Sequence, residues 1–371
     1  MEDPRVRKLA RYVVSTALGI KAGDRVMIEL RGRELDVARV FVEEVYAAGG
    51  LPVPRVEDPA LRAAVYAQAS DEHAAWLGAD LLRTARDIDC FVFLDAPDNP
   101  SFWADVPTDR NTAYRRSVYQ PVYLDLVANQ RRWCVLRWPN DAMAQQAHMT
   151  TRAYEDFYFG ACLVDYPKMN RALEALRARM DRADEVRIVG PGTDLRFSVK
   201  GIDIMIENGA RNVPDGEAAT APVRDSVNGH ISYNVPSTYD GFTYRDVRLT
   251  FENGRIVRAE SNDTARMNRL LDTDEGARYI GEFAFGVNPA ITRPIGDILF
   301  DEKIAGSFHL TPGNCYDNAD NGNHSAVHWD LVCSQRPEHG GGEIWVDDEL
   351  IRKDGVFLPD DLRPINPENL A

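Results

Sequence analysis

The sequence predicts two domains: an α/β domain over residues 1–180, and an α+β domain rich in antiparallel strands over residues 181–371. Three observations lead to this prediction. The 371 residues exceed the length that a single hydrophobic core usually organises. The first half alternates apolar strand-like runs with stretches of helical periodicity. The second half changes to short alternating strands broken by Gly and Asn turns, which are typical of antiparallel sheets.

The amino-terminal elements alternate between helix and strand. Residues 5–18 have the apolar spacing of a helix, and the strand RVMIEL follows the turn at Gly23. A second helix over 35–48 ends at Gly49 and Gly50, and LPVPRV is the next strand. Two strands joined by a helix predict a parallel βαβ unit.

Two further apolar runs, DIDCFVFLDAP at 87–97 and RRWCVLRWP at 131–139, are typical of buried parallel strands. Cys90 and Cys134 lie within these runs and are expected in the core. Neither a G-x-G-x-x-G fingerprint nor a P-loop follows any of the strands. The first half is therefore not expected to bind a nucleotide.

The pattern of apolar and polar residues changes after a charged amphipathic helix that is predicted at 168–183. The segments VRIVGPGTDLRFSV, VRLTFENGRIVRAE and GGEIWVDDELI alternate apolar and polar residues and are interrupted by Gly and Asn. This pattern predicts antiparallel strands joined by tight turns.

The composition excludes several classes of partner. The chain has 43 Lys and Arg against 58 Asp and Glu, a net charge of −15, which argues against a nucleic-acid or anionic-membrane surface. It contains no apolar run long enough to span a membrane, and its first residues are too charged for a signal peptide. Five widely spaced Cys without a CxxC motif predict reduced thiols and a cytoplasmic location.

The segment 305–332 concentrates candidate metal ligands. Of the 7 His in the chain, it holds His309, His324 and His328. Asp330 lies two residues after His328, and on a strand these two side chains would point to the same face. Imidazoles beside a carboxylate favour a metal site over the alternative of a polar loop with scattered histidines.

Two glutamates elsewhere in the second half are ambiguous by composition alone. Glu217 follows a Pro-Asp-Gly turn, where a carboxylate is more often solvated. Glu282 lies in the apolar segment YIGEFAFGVNP, and a buried carboxylate needs a cation or a metal as its partner. The local sequence leaves both roles open.

Four segments taken in order, NVPDGEAATAPVRDSVNG, GEFAFGVNP, AGSFH and SAVHWDLV, resemble the M29 family of metallo-aminopeptidases, of the aminopeptidase T type. The segments PGTDLRFSVKG and GGEIWVDDELIRKDGVF, and the opening KLARYVVSTALGIKAGDRVMIE, are also similar to the family. The resemblance covers nearly the whole chain and is strongest after residue 190. Each motif alone is weak, and their combination is specific.

The resemblance implies a metal-dependent aminopeptidase that removes the N-terminal residue of short peptides or small amides with a metal-activated water. It implies two divalent ions, zinc or cobalt, in the carboxy-terminal domain, and a homodimer. The implied metal ligands are Glu217, Glu282, His309, His328 and Asp330. Tyr316 matches a further family position and is expected to help hold the oxyanion, and Glu217 could act as a base as well as a ligand.

The chain departs from the family pattern near this site. The interval between His309 and His328 is shorter than in the family, and HLTPG replaces a more apolar turn after His309. A shortened interval is expected to affect substrate specificity. His324 is an additional imidazole, expected in the loop or behind the ligands. Cys315 adjoins Tyr316 and is expected to be a bystander.

Two alternative functions remain open at the level of sequence. Ring-cleaving 2,5-dihydroxypyridine dioxygenases resemble the same scaffold and bind one ferrous ion through two His and one Asp, with His at the position of Glu282. Glu282 supplies a third carboxylate and favours two divalent ions instead. A non-catalytic ligand-binding relative is the other alternative, and the intact set of ligand residues argues against it.

Overall fold

A computed structural model describes residues 3–371, which form two compact units. The first unit contains the residues up to 162 together with 209–214, and the second contains 163–208 and 215–371. The sequence predicts a boundary after residue 180, whereas the units change after residue 162. The difference arises because the helix Tyr166–Met180 packs on strands of the second unit.

The helices and strands are numbered here in chain order. Over residues 3–371 the α-helices are α1 Pro4–Tyr12, α2 Leu35–Ala47, α3 Pro59–Tyr66, α4 Asp71–Ala85, α5 Thr108–Tyr114, α6 Asp141–Gln146, α7 Thr151–Cys162, α8 Tyr166–Met180, α9 Thr264–Leu271, α10 Ile298–Asp301 and α11 Pro367–Leu370. Two π-helical segments, Val13–Ala17 and Arg115–Ala128, continue α1 and α5. The strands of the same residues are β1 Arg25–Arg31, β2 Leu51–Glu57, β3 Cys90–Asp95, β4 Arg132–Arg137, β5 Glu185–Gly190, β6 Thr193–Ser198, β7 Met205–Glu207, β8 Asn212–Val213, β9 Glu217–Thr220, β10 Asn228–Ser232, β11 Ser237–Tyr239, β12 Phe242–Tyr244, β13 Arg248–Glu252, β14 Arg255–Glu260, β15 Ile280–Gly286, β16 Ser307–Pro312, β17 Leu331–Ser334, β18 Glu343–Val346, β19 Glu349–Lys353 and β20 Val356–Phe357.

The first unit is built on a parallel sheet with the strand order β2-β1-β3-β4-β8. The predicted βαβ unit is confirmed, since β1 and β2 pair in parallel on either side of α2 in the chain. Gly49 ends α2 with a φ of 83°, a conformation that few residues other than glycine adopt. All of β3 is buried, as its apolar run predicts, and Cys90 and Cys134 lie in the core.

The second unit contains two antiparallel sheets, as the alternating segments predict. The larger has the order β14-β13-β10-β6-β5-β18-β19-β20, and the smaller has the order β17-β16-β15-β9-β7. A separate hairpin pairs β11 with β12. No helix of residues 3–371 has both the length and the apolar character needed to cross a membrane.

The two faces of the smaller sheet differ in character. Strands β15 and β16 are buried at every position. One face carries aromatic rings, and Phe283 packs at 5.1 Å, between ring centroids, on Phe197 of the larger sheet. The alternation of side chains along each strand places Glu282 and His309 on the opposite face. The sheet thus separates an aromatic layer from a polar layer.

Small residues leave room on the polar face. Ala284 pairs with both Ala219 and His309 across the three central strands. Gly286 pairs with Glu217, and a Cβ at Gly286 would lie 2.6 Å from the carbonyl oxygen of Ile304. Glycine is therefore required at this position. The small residues Ala219, Ala284 and Gly286 leave space on this face for the polar side chains.

Candidate metal centre

Four neighbouring strands bring together the five residues that the resemblance predicts as metal ligands. Glu217 opens β9, Glu282 lies on β15, and His309 lies on β16. His328 and Asp330 precede β17, in an extended segment that forms a bridge between His328 and Gly313. Because these strands are adjacent in the smaller sheet, residues distant in sequence meet on one face.

Glu282 lies between the two imidazoles. Its Oε1 is 3.5 Å from Nε2 of His309, and its Oε2 is 3.3 Å from Nε2 of His328. On one side, His309 Nε2 is 3.9 Å from Glu217 Oε2. On the other side, His328 Nε2 is 3.4 Å from Asp330 Oδ1. One ligand atom from each of Glu282, His309 and Asp330 falls within 4.8 Å of the others, a spacing that could hold a cation.

The orientation of His328 is fixed by the backbone. Its Nδ1 lies 2.8 Å from the carbonyl oxygen of Asn314, and a carbonyl can only accept, so Nδ1 must carry the proton. In the neutral ring, which is the form that binds a cation, Nε2 then carries the lone pair that faces the carboxylates, an arrangement that metal-binding histidines commonly show. Burial works against the charged ring, but Asp330 and Glu282 raise the pKa of His328 well above its usual value, so a bound cation would replace a proton. Nε2 lies 3.2 Å from the hydroxyl of Tyr316, a residue that is 45% exposed.

Two buried atoms of the cluster lack hydrogen-bond partners among the described residues: Oε2 of Glu217 and Nδ1 of His309. Buried polar atoms are seldom left unpaired. Glu217 is buried, contrary to the solvated position that its local sequence favours, because β15 covers the strand that carries it. Three carboxylates and two imidazoles, with an unpaired carboxylate oxygen among them, fit a divalent cation.

The titration behaviour of the cluster agrees with this fit. Burial works against the charged form of His309, but hydrogen bonding to Glu282 raises its pKa to about 9. Burial also raises the pKa of Glu282, yet the two imidazoles outweigh it and the net pKa is lowered. Burial also raises the pKa of Asp330, but the neighbouring His328 outweighs this effect and the net pKa is lowered. This concentration of negative charge attracts cations, either protons or metal ions.

A buried lysine, which the sequence reasoning missed, lies behind Glu217. The Nζ of Lys303 is 2.7 Å from Glu217 Oε1, 2.7 Å from Glu302 Oε1 and 3.5 Å from Asp215 Oδ1, and the residue is fully buried. Burial disfavours its charge, but the carboxylates raise its pKa well above the usual value. The charged triplet Asp-Glu-Lys within an apolar segment was the signal available in the sequence.

A buried threonine was also missed as a contact of the cluster. The hydroxyl of Thr311 donates to Asp330 Oδ1 at 2.7 Å. Two residues near the cluster stand apart from it. His324 is exposed, and the thiol of Cys315 donates to Asp320 Oδ1 at 3.3 Å.

Comparisons with known proteins agree with the fold. Aminopeptidase AmpS of Bacillus subtilis is 24% identical over 84% of both chains. Aminopeptidase T of Thermus thermophilus is 25% identical over 84% of this chain and 85% of its own. The solved structure of wild-type AmpT from Thermus thermophilus superposes with a TM-score of 0.81 at 23% identity, covering 96% of this chain and 99% of that one.

The fold alone does not separate the two catalytic alternatives. The structure of 2,5-dihydroxypyridine dioxygenase from Pseudomonas putida KT2440 also superposes, with a TM-score of 0.62 at 13% identity, over 98% of this chain and 100% of that one. The family model does separate them, since the model of the thermophilic metalloproteases (M29) matches residues 2–357. The resemblance found in the sequence is confirmed, and the chain belongs to the M29 family of metalloproteases.

Proposed function

We propose that this M29 metallopeptidase is an aminopeptidase that removes the N-terminal residue of short peptides or small amides. We further propose that two divalent cations, zinc or cobalt, are held by Glu217, Glu282, His309, His328 and Asp330. The observation that carries this proposal is the position of Glu282, whose two oxygens face two different imidazoles at 3.5 and 3.3 Å. A carboxylate in this position is suited to bridge two cations.

The distances among the remaining ligands support two cations that share Glu282. Glu217 Oε2 is 3.9 Å from His309 Nε2 on one side, and Asp330 Oδ1 is 3.4 Å from His328 Nε2 on the other, although Asp330 is also within 4.8 Å of a His309 nitrogen. Each side thus offers one imidazole, one carboxylate of its own and one oxygen of the shared Glu282. Cations bound here would polarise the peptide carbonyl and lower the pKa of an attacking water.

Two residues of the chain are proposed to act directly on the substrate. Tyr316 is half-exposed and its hydroxyl lies beside His328, where it can donate a hydrogen bond to the developing oxyanion. Glu217 has one oxygen on Lys303 and the other without a partner among the described residues. Burial raises the pKa of Glu217 well above its usual value, so this carboxylate can accept a proton as well as bind a cation.

A metal count run beside an activity assay tests the proposal. Protein purified without chelator should contain two divalent ions per chain and should hydrolyse aminoacyl-anilides. Excess EDTA should abolish the hydrolysis, and added zinc or cobalt should restore it. One iron per chain without hydrolysis would instead support the dioxygenase alternative.

The pH dependence of the same assay provides a second arm. An imidazole must be neutral to bind a cation; a free imidazole titrates near ~6.5, and in the metal-free protein hydrogen bonding to Glu282 raises the pKa of His309 to about 9. The acid limb of activity should therefore begin at higher pH when metal is scarce, and a higher concentration of metal should shift it down toward about pH 6. An acid limb that does not respond to metal concentration would show that ligand protonation is not its cause.

We also propose a cytoplasmic homodimer. The five cysteines are free and buried, which supports a reducing compartment. Within residues 3–371, the group of side chains spaced to hold a metal lies in the second unit, and the first unit supplies no such group. Light scattering should give twice the chain mass of 41.6 kDa, and di- to tetrapeptides should be trimmed while folded proteins resist. A fully active species of 41.6 kDa would contradict the dimer.

A further inference from the structure

We propose that Thr311 is a positioning residue that fixes the carboxylate of Asp330 for cation binding. The inference rests on the proposed function, because Asp330 is a metal ligand only within it. The hydroxyl of Thr311 donates to Asp330 Oδ1 at 2.7 Å, whereas Nε2 of His328 lies 3.4 Å from the same oxygen.

The strand places Thr311 on the polar face. Side chains alternate along β16, so His309 and Thr311 point to the same side, two residues apart. Across the ladder, Thr311 pairs with Glu282 of β15. Thr311 is fully buried, and its β-branched side chain has few rotamers available. The hydroxyl is therefore held at one position, beside the ligands and within reach of Asp330.

Asp330 needs such a contact because it lies just outside regular structure. Strand β17 begins one residue later, and the side chain of Asp330 is 17% exposed. Its backbone is fixed separately, since the hydroxyl of Ser237 donates to the Asp330 carbonyl at 3.2 Å and accepts from Trp329 Nε1 at 2.9 Å. Among the described residues, Thr311 is the neutral donor that orients the carboxylate itself.

The segment HLTPG contains one hydroxyl side chain, that of Thr311, and this hydroxyl contacts a candidate ligand. Hydrogen bonds that orient metal-binding side chains typically contribute 10–100-fold to metal affinity. We therefore expect removal of this hydroxyl to weaken cation binding by about 10–100-fold.

The test is a titration of metal-free protein with Co(II). Calorimetry measures the affinity, and the visible absorption of the bound ion reports its ligand geometry. Thr311→Val keeps the shape and removes the hydroxyl. It should weaken Co(II) binding by about 10–100-fold and change the visible spectrum, which reports ligand geometry. Thr311→Ser should retain most of the wild-type affinity. A urea unfolding curve of each metal-free variant checks that the protein is folded.

A second pair of variants guards against a misfolded valine substitution. Thr311→Ala and Thr311→Ser both lack the methyl group and differ by the hydroxyl alone, so the ratio of their affinities isolates the hydrogen bond. The matched control is Thr220→Val on β9, which lies two strands from β16 in the same sheet. Thr220 is buried and its hydroxyl has no hydrogen-bond partner among the described residues. This control should bind Co(II) as the wild type does.

The outcomes distinguish the inference from the function on which it rests. Equal Co(II) affinity and equal spectra for Thr311→Ala and Thr311→Ser would overturn the role of Thr311. Failure of the wild-type protein to bind Co(II) would overturn the proposed metal site instead. Equal weakening by Thr220→Val and Thr311→Val would also count against Thr311, because it would indicate a general effect of substitution in the sheet.

Discussion

Replacement of Glu282 by glutamine is expected to abolish peptidase activity while the protein remains folded. Glutamine has the same shape but lacks the negative charge, and its NH2 group would face one of the two imidazoles that the Glu282 oxygens now approach. We expect kcat/KM to fall by more than about 100-fold, beyond the effect of losing a residue that only orients a ligand. The bound metal should fall below two ions per chain.

The measurement combines anilide hydrolysis, metal content and urea unfolding. Glu275→Gln is a suitable control, because the side chain of Glu275 is 80% exposed and pairs with Arg224 at the surface. That control should change the free energy of unfolding by no more than about 0.5 kcal/mol and should leave activity intact. Normal activity with two bound ions in Glu282→Gln would refute the role of Glu282.

Glu282→His is a complementary substitution. It introduces the residue type that the sequence resemblance implies at this position in the dioxygenases, and it removes the carboxylate that is proposed to serve both cations. We expect this variant to lose peptidase activity and to bind a single ion. If the variant still bound two ions, the Glu282 carboxylate could not be what allows the protein to bind two cations.

Replacement of Lys303 by methionine is expected to have the largest effect on stability. The change leaves Glu217, Glu302 and Asp215 without the buried ammonium that now lies 2.7 to 3.5 Å from their oxygens. Removal of one partner from a buried ion pair typically costs about 3–5 kcal/mol, because the remaining charge is uncompensated. Urea unfolding of the metal-free protein should show a loss of this size.

Metal ions should reverse part of this loss. Divalent cations that bind the folded state neutralise the carboxylates that lose Lys303, so added zinc should stabilise Lys303→Met more than it stabilises the wild type. Lys353→Met is the matched control, since Lys353 pairs with Glu343 at 3.1 Å and its side chain is 52% exposed. An exposed pair of this kind is worth at most about 1 kcal/mol. Equal losses in the two variants would contradict the role of Lys303 as a buried counter-ion.

Much of the fold follows from local patterns in the sequence. The βαβ unit could be predicted because fully buried parallel strands, such as β3, appear as continuous apolar runs. The antiparallel sheets could be predicted from alternation and turn residues. The pairing of β9 with β15 could not, because these strands are far apart in sequence and nothing in either one specifies its partner.

The same limitation explains what was missed in the candidate site. Glu217 follows a turn and has the local sequence of a solvated residue, and it is buried because distant strands cover it. Lys303 belongs to a charged triplet that is typical of a surface, and its three carboxylate neighbours include two from the Pro-Asp-Gly-Glu segment. His309, His328 and Asp330 were candidates from their own segment, but the full set of five came from family resemblance. Periodicity within one strand cannot relate residues on β9, β15 and β16 and in the segment before β17.

The division of the smaller sheet into an aromatic and a polar face limits how this protein can change. Insertion or deletion of one residue within β15 or β16 would exchange the two faces, moving Phe283 into the ligand cluster and Glu282 among the rings. A change of two residues would preserve the faces but would displace Glu282 from His309 by about 7 Å. Length variation among relatives is therefore expected in the connecting loops, such as residues 313–327, while these strands vary by substitution alone.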